Sequence, residues 1–476
     1  TRSRAARPHQ LDEFPELDVA SLETLLRALE SDRDREVLAA LAVLERENKA
    51  HLVPALLLHH PSEPVVLRVL GILAESNRKS AVPIINRIVG HPSPNVRAAA
   101  LATRSVLDSD PEKLRVLLET EESEETRGAI LVNLIVSGAF GHDERQQRTE
   151  VLLRDGTAAT QVAFAEAIGR RAAPGFDQVL RALLATHDSQ VRCAAVTAMG
   201  AVRSPPLLAD LAGALADEDT RTTAEHALAS RGAEAFDVLR TRLEDTATKG
   251  SLRWRIPAAM ALCQPEKTMT TLLAWLPAER DGTVRFGIIL VLERLARRYP
   301  TLKVDKGVLQ ESVRGTIARA YWYVDMRQQL ARGAAQEVAR RTPGHELLSD
   351  LLRDKEVNTR ARIFRLLGLL HPSEDLVHIY RGLHVSKELR ATSVELVENI
   401  LREPVRTAVL GLIDDCADSL RLPRGAAFHR PRRFGYPELL AHLEASDSDA
   451  VREVARFHAA ELARAPASAG RAAEVA

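Results

Sequence analysis

The residues best suited to recognition lie between Leu420 and Pro437, where arginines alternate with aromatic side chains and no acidic residue occurs. Guanidinium groups pair with carboxylate and phosphate oxygens, and aromatic rings stack on bases or pack against protein surfaces. The stretch therefore predicts a binding surface for an acidic protein, a phosphate group or a nucleic acid. Its candidate residues are Arg421, Arg424, Phe428, Arg430, Arg432 and Arg433.

Proline and glycine residues place this stretch in a loop, at residues 420–435. Loops carried by a rigid scaffold often hold binding residues. The alternative is a solvated insertion that binds nothing, and the sequence leaves both interpretations open.

A second candidate is the triplet Tyr321-Trp322-Tyr323, in a chain that has five tyrosines and three tryptophans. Aromatic side chains are the usual anchors of protein interfaces. Three consecutive residues span most of a helix circumference, so at least one ring should face away from a core on one side. The alternative is that all three rings are packed between two irregular helices.

The sequence gives little support for a metal site or a catalytic site. The histidines at 371, 378 and 384 flank Glu374-Asp375 with spacings that permit contact only across a turn, and Cys193, Cys263 and Cys416 are isolated. The nucleophile-elbow, P-loop, dinucleotide-binding and zinc-protease motifs are absent from the sequence. We therefore predict a protein without catalytic residues, metal or cofactor.

Charge and hydropathy bear on partners and location. The 65 basic and 65 acidic residues cancel, which argues against a dedicated nucleic-acid or membrane-surface protein. No apolar stretch approaches the roughly 20 residues that cross a bilayer. Unpaired cysteines fit a reducing compartment, so we predict a cytoplasmic location. The first residue is Thr1 and not Met, which raises the expectation of a fragment of a longer protein.

The elements that position these residues are indicated by an internal repeat. A β-branched or leucine residue followed by arginine recurs nine times, and neighbouring dyads are usually 29 to 32 residues apart. Such a period fits two antiparallel helices of about 12 residues joined by tight turns. The arginines of these dyads are Arg97, Arg127, Arg192, Arg221, Arg253, Arg285, Arg360, Arg390 and Arg452.

Local signals agree with a two-helix unit. Apolar residues follow the dyads at helical spacing, as at Val284, Ile288 and Leu292. Proline begins many of the first helices, where its missing N–H is not needed. Acidic residues before the second helices, such as Asp188 and Asp281, can cap them.

These repeats resemble HEAT repeats, particularly the short HEAT-like repeats named after phycobilisome lyases. The resemblance implies an all-α fold, a superhelical α-solenoid of about 12 to 14 two-helix repeats. In such families the dyad arginine is a structural residue that ties the acidic turn of its own or a neighbouring unit. It implies little about function, because a fold hosts many activities.

The repeat is interrupted twice, after Tyr299 and between Leu420 and Phe434, and we expect partner binding at these breaks. The predicted organisation is a polar arm (1–18), a HEAT array (19–300), an irregular helical segment (301–341), a second array (342–464) containing loop 420–435, and a disordered tail (465–476). Within the irregular segment, a long helical pattern covers Val308 to Arg340.

A further resemblance covers the second half. The stretch from Arg341-Thr-Pro-Gly-His to Ile379-Tyr-Arg-Gly-Leu is similar to the cytosolic HEAT region that follows a nucleotide-transporter-like membrane domain in some bacterial proteins. This resemblance implies membrane association only through a missing upstream domain.

The leading functional hypothesis is a non-catalytic scaffold that binds a protein or peptide on its concave face or at the repeat breaks. One alternative is a HEAT-like DNA-binding base-excision enzyme, against which the neutral charge counts. Another is a chromophore lyase-like protein, for which the sequence offers no acceptor pocket.

Overall fold

The computed structural model describes residues 19–464, apart from Asp32, Asn48 and residues 108–110. The predicted arm at 1–18 and tail at 465–476 lie outside the described residues. The structure is 76% helical, and the described residues contain no strand, which confirms the predicted all-α class. None of the described helices is both long enough and apolar enough to cross a bilayer.

Two compact units divide the chain, residues 1–227 (unit 1) and residues 228–476 (unit 2), with the boundary inside one helix. The predicted boundaries at 300 and 341 lie within unit 2 and stay a prediction.

Unit 1 consists of short helices that alternate along the chain. They are α1 (Val19–Ala28), α2 (Asp34–Arg46), α3 (Glu63–Glu75), α4 (Val82–Ile88), α5 (Pro94–Leu107), α6 (Pro111–Thr120), α7 (Glu124–Val136), α8 (His142–Asp155), α9 (Ala158–Arg171), α10 (Asp177–Leu184), α11 (Ser189–Val202), α12 (Leu207–Ala214) and the boundary helix α13 (Arg221–Arg231).

Within unit 1 the second helices of successive repeats stack directly on one another, in the order α3, α5, α7, α9 and α11, while α4, α6 and α10 pack against their own partners. Glycine permits the closest approach: a Cβ on Gly169 would lie 3.1 Å from Ala198 Cα. Aspartate ends the turn before α11, where Asp188 accepts hydrogen bonds from the N–H groups of Gln190 and Val191 at 2.9 and 3.1 Å. This is the sequential two-layer stacking of an α-solenoid.

Unit 2 begins with short helices and then changes character. Its helices are α14 (Ala233–Glu244), α15 (Gly250–Arg253), α16 (Ile256–Cys263), α17 (Pro265–Trp275), α18 (Gly282–Arg298), α19 (Lys306–Gln336), α20 (Pro343–Leu370), α21 (Leu376–Gly382), α22 (Lys387–Ile400), α23 (Val405–Ile413), α24 (Asp418–Arg424), α25 (Tyr436–Glu444) and α26 (Asp449–Arg464).

The long helices α19 and α20 form an antiparallel hairpin at the centre of unit 2. Asp305 caps α19 through Gly307 N and Val308 N, and Thr342 caps α20 through His345 N. The long helical pattern predicted over Val308 to Arg340 corresponds to α19. The dyad Thr359-Arg360 was expected to begin a separate second helix, but it lies inside α20, because no helix breaker separates it from Pro343.

The C-terminal helices pack on this hairpin and do not simply extend a row. Helices α23, α24 and α25 contact α19, and α26 contacts α20. Their shared core includes Met326, Leu330, Leu352, Leu440 and Val451. The hairpin therefore replaces at least one regular repeat. It also places the second interruption, at residues 420–434, against α19, which lies in the first interruption.

Candidate functional site

The aromatic triplet lies on α19 and faces inward. Tyr321 is fully buried, and its hydroxyl donates a hydrogen bond to Ala408 O at 2.8 Å, while Tyr323 is 6% exposed. Burial raises the pKa of the Tyr321 phenol well above its ordinary value. A partner cannot reach these two rings without opening the core, so their burial gives no support to the predicted role as interface anchors. The alternative given by the sequence, packing between helices, describes them.

Trp322 is only partly buried. Its indole Nε1 donates to His442 Nε2 on α25 at 3.4 Å, and its ring lies at 5.2 Å, edge to face, from Tyr323. The indole therefore joins α19 to α25 and retains some accessible surface.

Two of the predicted arginines are engaged within the fold. Arg421 Nη1 lies 3.2 Å from the buried carboxylate of Glu356, and its Nη2 donates to Asp414 O at 3.0 Å. Arg424 pairs with Asp414 Oδ2 at 2.7 Å. Both residues precede the loop, because α24 continues to Arg424 although residues 420–435 were predicted as loop. Their predicted role in partner binding is not supported by these contacts.

The remaining segment, residues 425–435, is here called the arginine loop. It is attached to α19 by polar contacts at several positions. His429 Nε2 lies 2.8 Å from Oδ2 of Asp325, a carboxylate that is 2% exposed. The side chain of Gln329 donates to Arg432 O at 2.8 Å and accepts from Phe434 N at 3.1 Å. A single amide thus fixes the backbone on both sides of Arg433.

Aromatic contacts hold the two ends of the arginine loop. The Arg314 guanidinium lies over the Phe428 ring at 5.4 Å, and Phe434 stacks on His442 with centroids 4.7 Å apart. At the start of the loop Gly425 packs directly on the Tyr321 ring, where a Cβ would overlap the ring atoms. These contacts give the loop a defined conformation on the hairpin.

Arg430, Arg432 and Arg433 project from the arginine loop and are exposed. Within the described part of the chain none of the three forms an ion pair, and Arg432 lies 5.6 Å from the Phe434 ring. The loop therefore combines a fixed backbone with three uncompensated positive charges. Such an arrangement can pair with carboxylates or phosphates without first ordering the backbone.

The dyad arginines share a recurrent set of contacts. Arg97 donates to His91 O at 2.9 Å, and Arg192 donates to Thr186 O at 3.3 Å, each six residues earlier in the preceding turn. Each also reaches a carboxylate of the next unit, Glu121 at 3.3 Å and Asp219 at 2.5 Å. Arg253 reaches Glu279 at 2.5 Å in the same way, and Arg390 reaches Asp415 at 3.0 Å.

Other dyads depart from this pattern. Arg221 and Arg452 bond carbonyl oxygens of their own turns, and Arg360 donates to Leu412 O at 3.0 Å. Arg127 is exposed and makes no side-chain hydrogen bond among the described residues, so a structural role for it is not supported. Arg285 bonds Glu279 O and Thr316 Oγ1, both neutral acceptors, at 3.4 Å.

A basic groove of about 1210 Å³ lies within unit 2 between the ends of α18 and α20, residues 300–306 and the start of α21. Sequence patterns do not predict this groove, although the loss of the repeat after Tyr299 marks its position. Six basic residues line it against three acidic ones, namely Arg294, Arg297, Arg298, Lys306, Arg365 and Arg381 against Glu293, Glu374 and Asp375.

Among the described residues, no group of three His, Cys, Asp or Glu side chains is placed to hold a metal ion. Burial raises the pKa of the Cys263 thiol to about 12, which disfavours the reactive thiolate at neutral pH.

Residues 146–230 match a family model described as HEAT repeats. The match covers α9, α10, α11 and α12, and it supports the predicted resemblance in that stretch. No curated protein matches the chain. The resemblance of residues 341–383 to a transporter-associated region lies outside the matched residues and stays a prediction.

Proposed function

We propose that this protein is a non-catalytic helical scaffold that binds an acidic segment of a partner protein through the arginine loop. The observation that carries the proposal is that the side chains of Gln329 and Asp325 hold the arginine loop in place. Three exposed arginines without ion-pair partners project from this fixed loop. HEAT repeats are commonly protein-interaction scaffolds, which agrees with this role.

An acidic protein segment fits the arginine loop better than a nucleic acid does. Affinity for duplex DNA usually depends on many phosphate contacts over an extended basic surface. This chain has zero formal net charge, and the loop offers three free arginines beside the partly buried Phe428 and Phe434. A short run of carboxylates with one apolar residue matches that surface in charge and size.

The basic groove is a second candidate contact for the same partner. It borders residues 300–306, where the repeat is interrupted, and it carries an excess of three positive charges among its lining residues. Because its arginines include Arg365, which pairs with Glu293 at 2.5 Å, part of its charge is already compensated. We therefore assign the main contact to the arginine loop.

The proposal is tested by affinity capture from the native host, followed by titration of the purified partner. Three variants are compared with the unmodified chain: a loop variant (Arg430, Arg432 and Arg433 to Ser), a groove variant (Arg294, Arg297 and Arg298 to Ser) and a control variant. The control changes three other exposed arginines of unit 2, Arg240, Arg332 and Arg402, to Ser, so that net charge falls equally.

The loop variant should weaken binding of the captured partner by at least about tenfold and flatten its salt dependence, because a charged rim sets on-rate and salt sensitivity. The control variant should bind as the unmodified chain does. Unchanged binding by the loop variant would contradict the proposal. Loss of binding only in the groove variant would move the site to the groove. Binding that duplex DNA displaces from the loop would favour a nucleic-acid function.

A further inference from the structure

Four dyad arginines receive a counter-charge from the next unit, and Arg285, beside the hairpin, does not. Arg97, Arg192, Arg253 and Arg390 each receive a carboxylate 24 to 27 residues later in the chain, from the turn of the next unit. At Arg285 the next unit is replaced by the long helix α19. The group that meets Arg285 there is the Thr316 hydroxyl, 31 residues later.

Two further arginines converge on the same place. Burial lowers the pKa of Arg285 to about 10, and the positive charges of Arg319 and Arg362 add to this effect. Arg319 lies on α19 and Arg362 on α20, so α18 and both helices of the hairpin each contribute one guanidinium. Like charges in a partly desolvated space are unfavourable unless an anion lies between them.

Arg362 is the least compensated of the three. It has no hydrogen-bond acceptor or ion-pair partner among the described residues, and its Nε is buried without a partner. Its guanidinium lies 6.0 Å from the Phe286 ring, and its terminal nitrogens approach Gly282, where a Cβ would lie 3.3 Å away. A buried donor without an acceptor is destabilising, so the site favours any oxyanion that fits.

The charged groups around this cluster leave it positive. Asp447 lies 3.5 Å from Arg319 and 3.9 Å from Arg280, and Asp281 is engaged in capping α18. Glu279 is committed to Arg253 and Trp275. The four arginines at 280, 285, 319 and 362 therefore face two carboxylates, which leaves two positive charges.

We propose that Arg285, Arg319 and Arg362 form a phosphate-binding site that occupies the position of the missing carboxylate. A phosphate group carries about 1.5 to 2 negative charges at neutral pH and three acceptor oxygens, which matches the excess charge and the three guanidinium donors. The phosphate can be inorganic or part of a phosphorylated side chain. The site shares no residue with the arginine loop, so it does not depend on the function proposed above.

The test is thermal unfolding followed by tryptophan fluorescence. All three tryptophans, Trp254, Trp275 and Trp322, belong to unit 2, so this signal follows the unit that contains the site. At pH 7.5, 10 mM inorganic phosphate should raise the Tm by about 3 °C above chloride at equal ionic strength. The shift should be lost in Arg362→Gln and Arg285→Gln. It should persist in Arg332→Gln, an exposed position on the same helix as Arg319.

Without phosphate, Arg362→Gln should unfold at the same or a higher temperature than the unmodified chain, because an uncompensated cation is removed. This measurement separates loss of the site from loss of the fold. A phosphoserine peptide and its unmodified serine form, titrated in parallel, distinguish the sources. Binding of the phosphopeptide at least tenfold tighter than inorganic phosphate assigns a phosphorylated partner, and equal binding assigns the free ion. Equal Tm in phosphate and chloride, or a shift retained in Arg362→Gln, would overturn the proposal.

Discussion

Two dyad arginines of unit 1, Arg97 and Arg192, differ in their contacts from Arg285, which lies beside the hairpin of unit 2. Arg97 and Arg192 lie between two turns and contact carbonyls of one and a carboxylate of the next. Arg285 occupies the same repeat position but meets a hydroxyl and two other arginines. The difference shows that charge compensation is a property of the stack of repeats. When a longer helix replaces the next repeat, the same arginine is left without a carboxylate partner.

The replacement of a repeat by the long hairpin also determines where the aromatic triplet and the arginine loop lie. In the hairpin region Tyr321 and Tyr323 become core residues, while the segment that follows α24 is held on the outside of α19. Burying the rings provides the rigid base from which the arginine loop projects. Where the repeat is interrupted, the aromatic rings are therefore buried in the core and the loop arginines are exposed on the surface.

The largest expected effect comes from a fully compensated dyad. Arg253 and Glu279 are 4% and 3% exposed and form an ion pair of 2.5 Å. Arg253→Ala leaves a buried carboxylate without its cation, which should lower the free energy of unfolding of unit 2 by about 3 to 5 kcal/mol. Urea denaturation followed by tryptophan fluorescence measures this loss. Arg240→Ala, at an exposed position, should change it by less than about 0.5 kcal/mol.

A partly buried dyad of unit 1 should show a smaller loss of the same sign. Arg97→Gln removes bonds to two backbone carbonyls and to Glu121, which should cost about 2 kcal/mol. Unit 1 has no tryptophan, so hydrogen exchange of α5 and α7 is the suitable measurement. Unchanged protection there would mean that the carboxylate of the next unit contributes nothing to stability.

Acidification should lower the stability of unit 2 more than that of unit 1, by an amount between the largest and the smallest effects predicted here. Burial lowers the pKa of His458 below its ordinary value of 6.5, and the neighbouring His345 lowers it further. The unfolded chain therefore takes up this proton first as the pH falls. The contribution of neutral His458 is present above pH 6.5 and is lost as the pH falls toward its folded-state pKa.

We expect the tryptophan-monitored Tm of unit 2 to fall by a few degrees between pH 7 and pH 5.5. Among the described residues of unit 1 no histidine is buried, so hydrogen exchange there should change less. His458→Gln should reduce the pH dependence, although it also weakens the bonds of this ring to Tyr436 and Thr342. An unaltered pH dependence in this variant would assign the effect to other groups.

The smallest effect is expected at Arg285, where substitution should cause no clear loss of stability. Arg285→Gln should leave the unfolding free energy of unit 2 within about 0.5 kcal/mol of the unmodified chain, or slightly above it, because a desolvated cation with cationic neighbours is removed. The measurement is the same urea titration in phosphate-free buffer. A loss as large as that of Arg97→Gln would show that its bonds to Glu279 O and Thr316 are sufficient compensation, and the contrast between the two regions would disappear.

Much of the fold was predictable because helical periodicity and turn signals are local. The spacing of Val284, Ile288 and Leu292 and the caps at Asp188 and Asp281 correspond to helices that begin at Ser189 and Gly282. The candidate site was less predictable. The composition of the arginine loop pointed to Arg430, Arg432 and Arg433, but its attachment through Gln329 and Asp325 joins residues 103 and 104 positions apart. A pattern among neighbouring residues cannot predict a contact between residues so far apart in the sequence.

The sequence by itself determined the helices, their caps and the repeat of about 30 residues, because these depend on neighbours within one or two turns. Only the tertiary structure decided that Tyr321 would be enclosed by α23 and the arginine loop. It also decided that Arg285 would lack the carboxylate that Arg97, Arg192, Arg253 and Arg390 receive from the next unit. The physical reason is that burial and charge compensation depend on which helix packs against a side chain, and that choice is made by the hairpin as a whole.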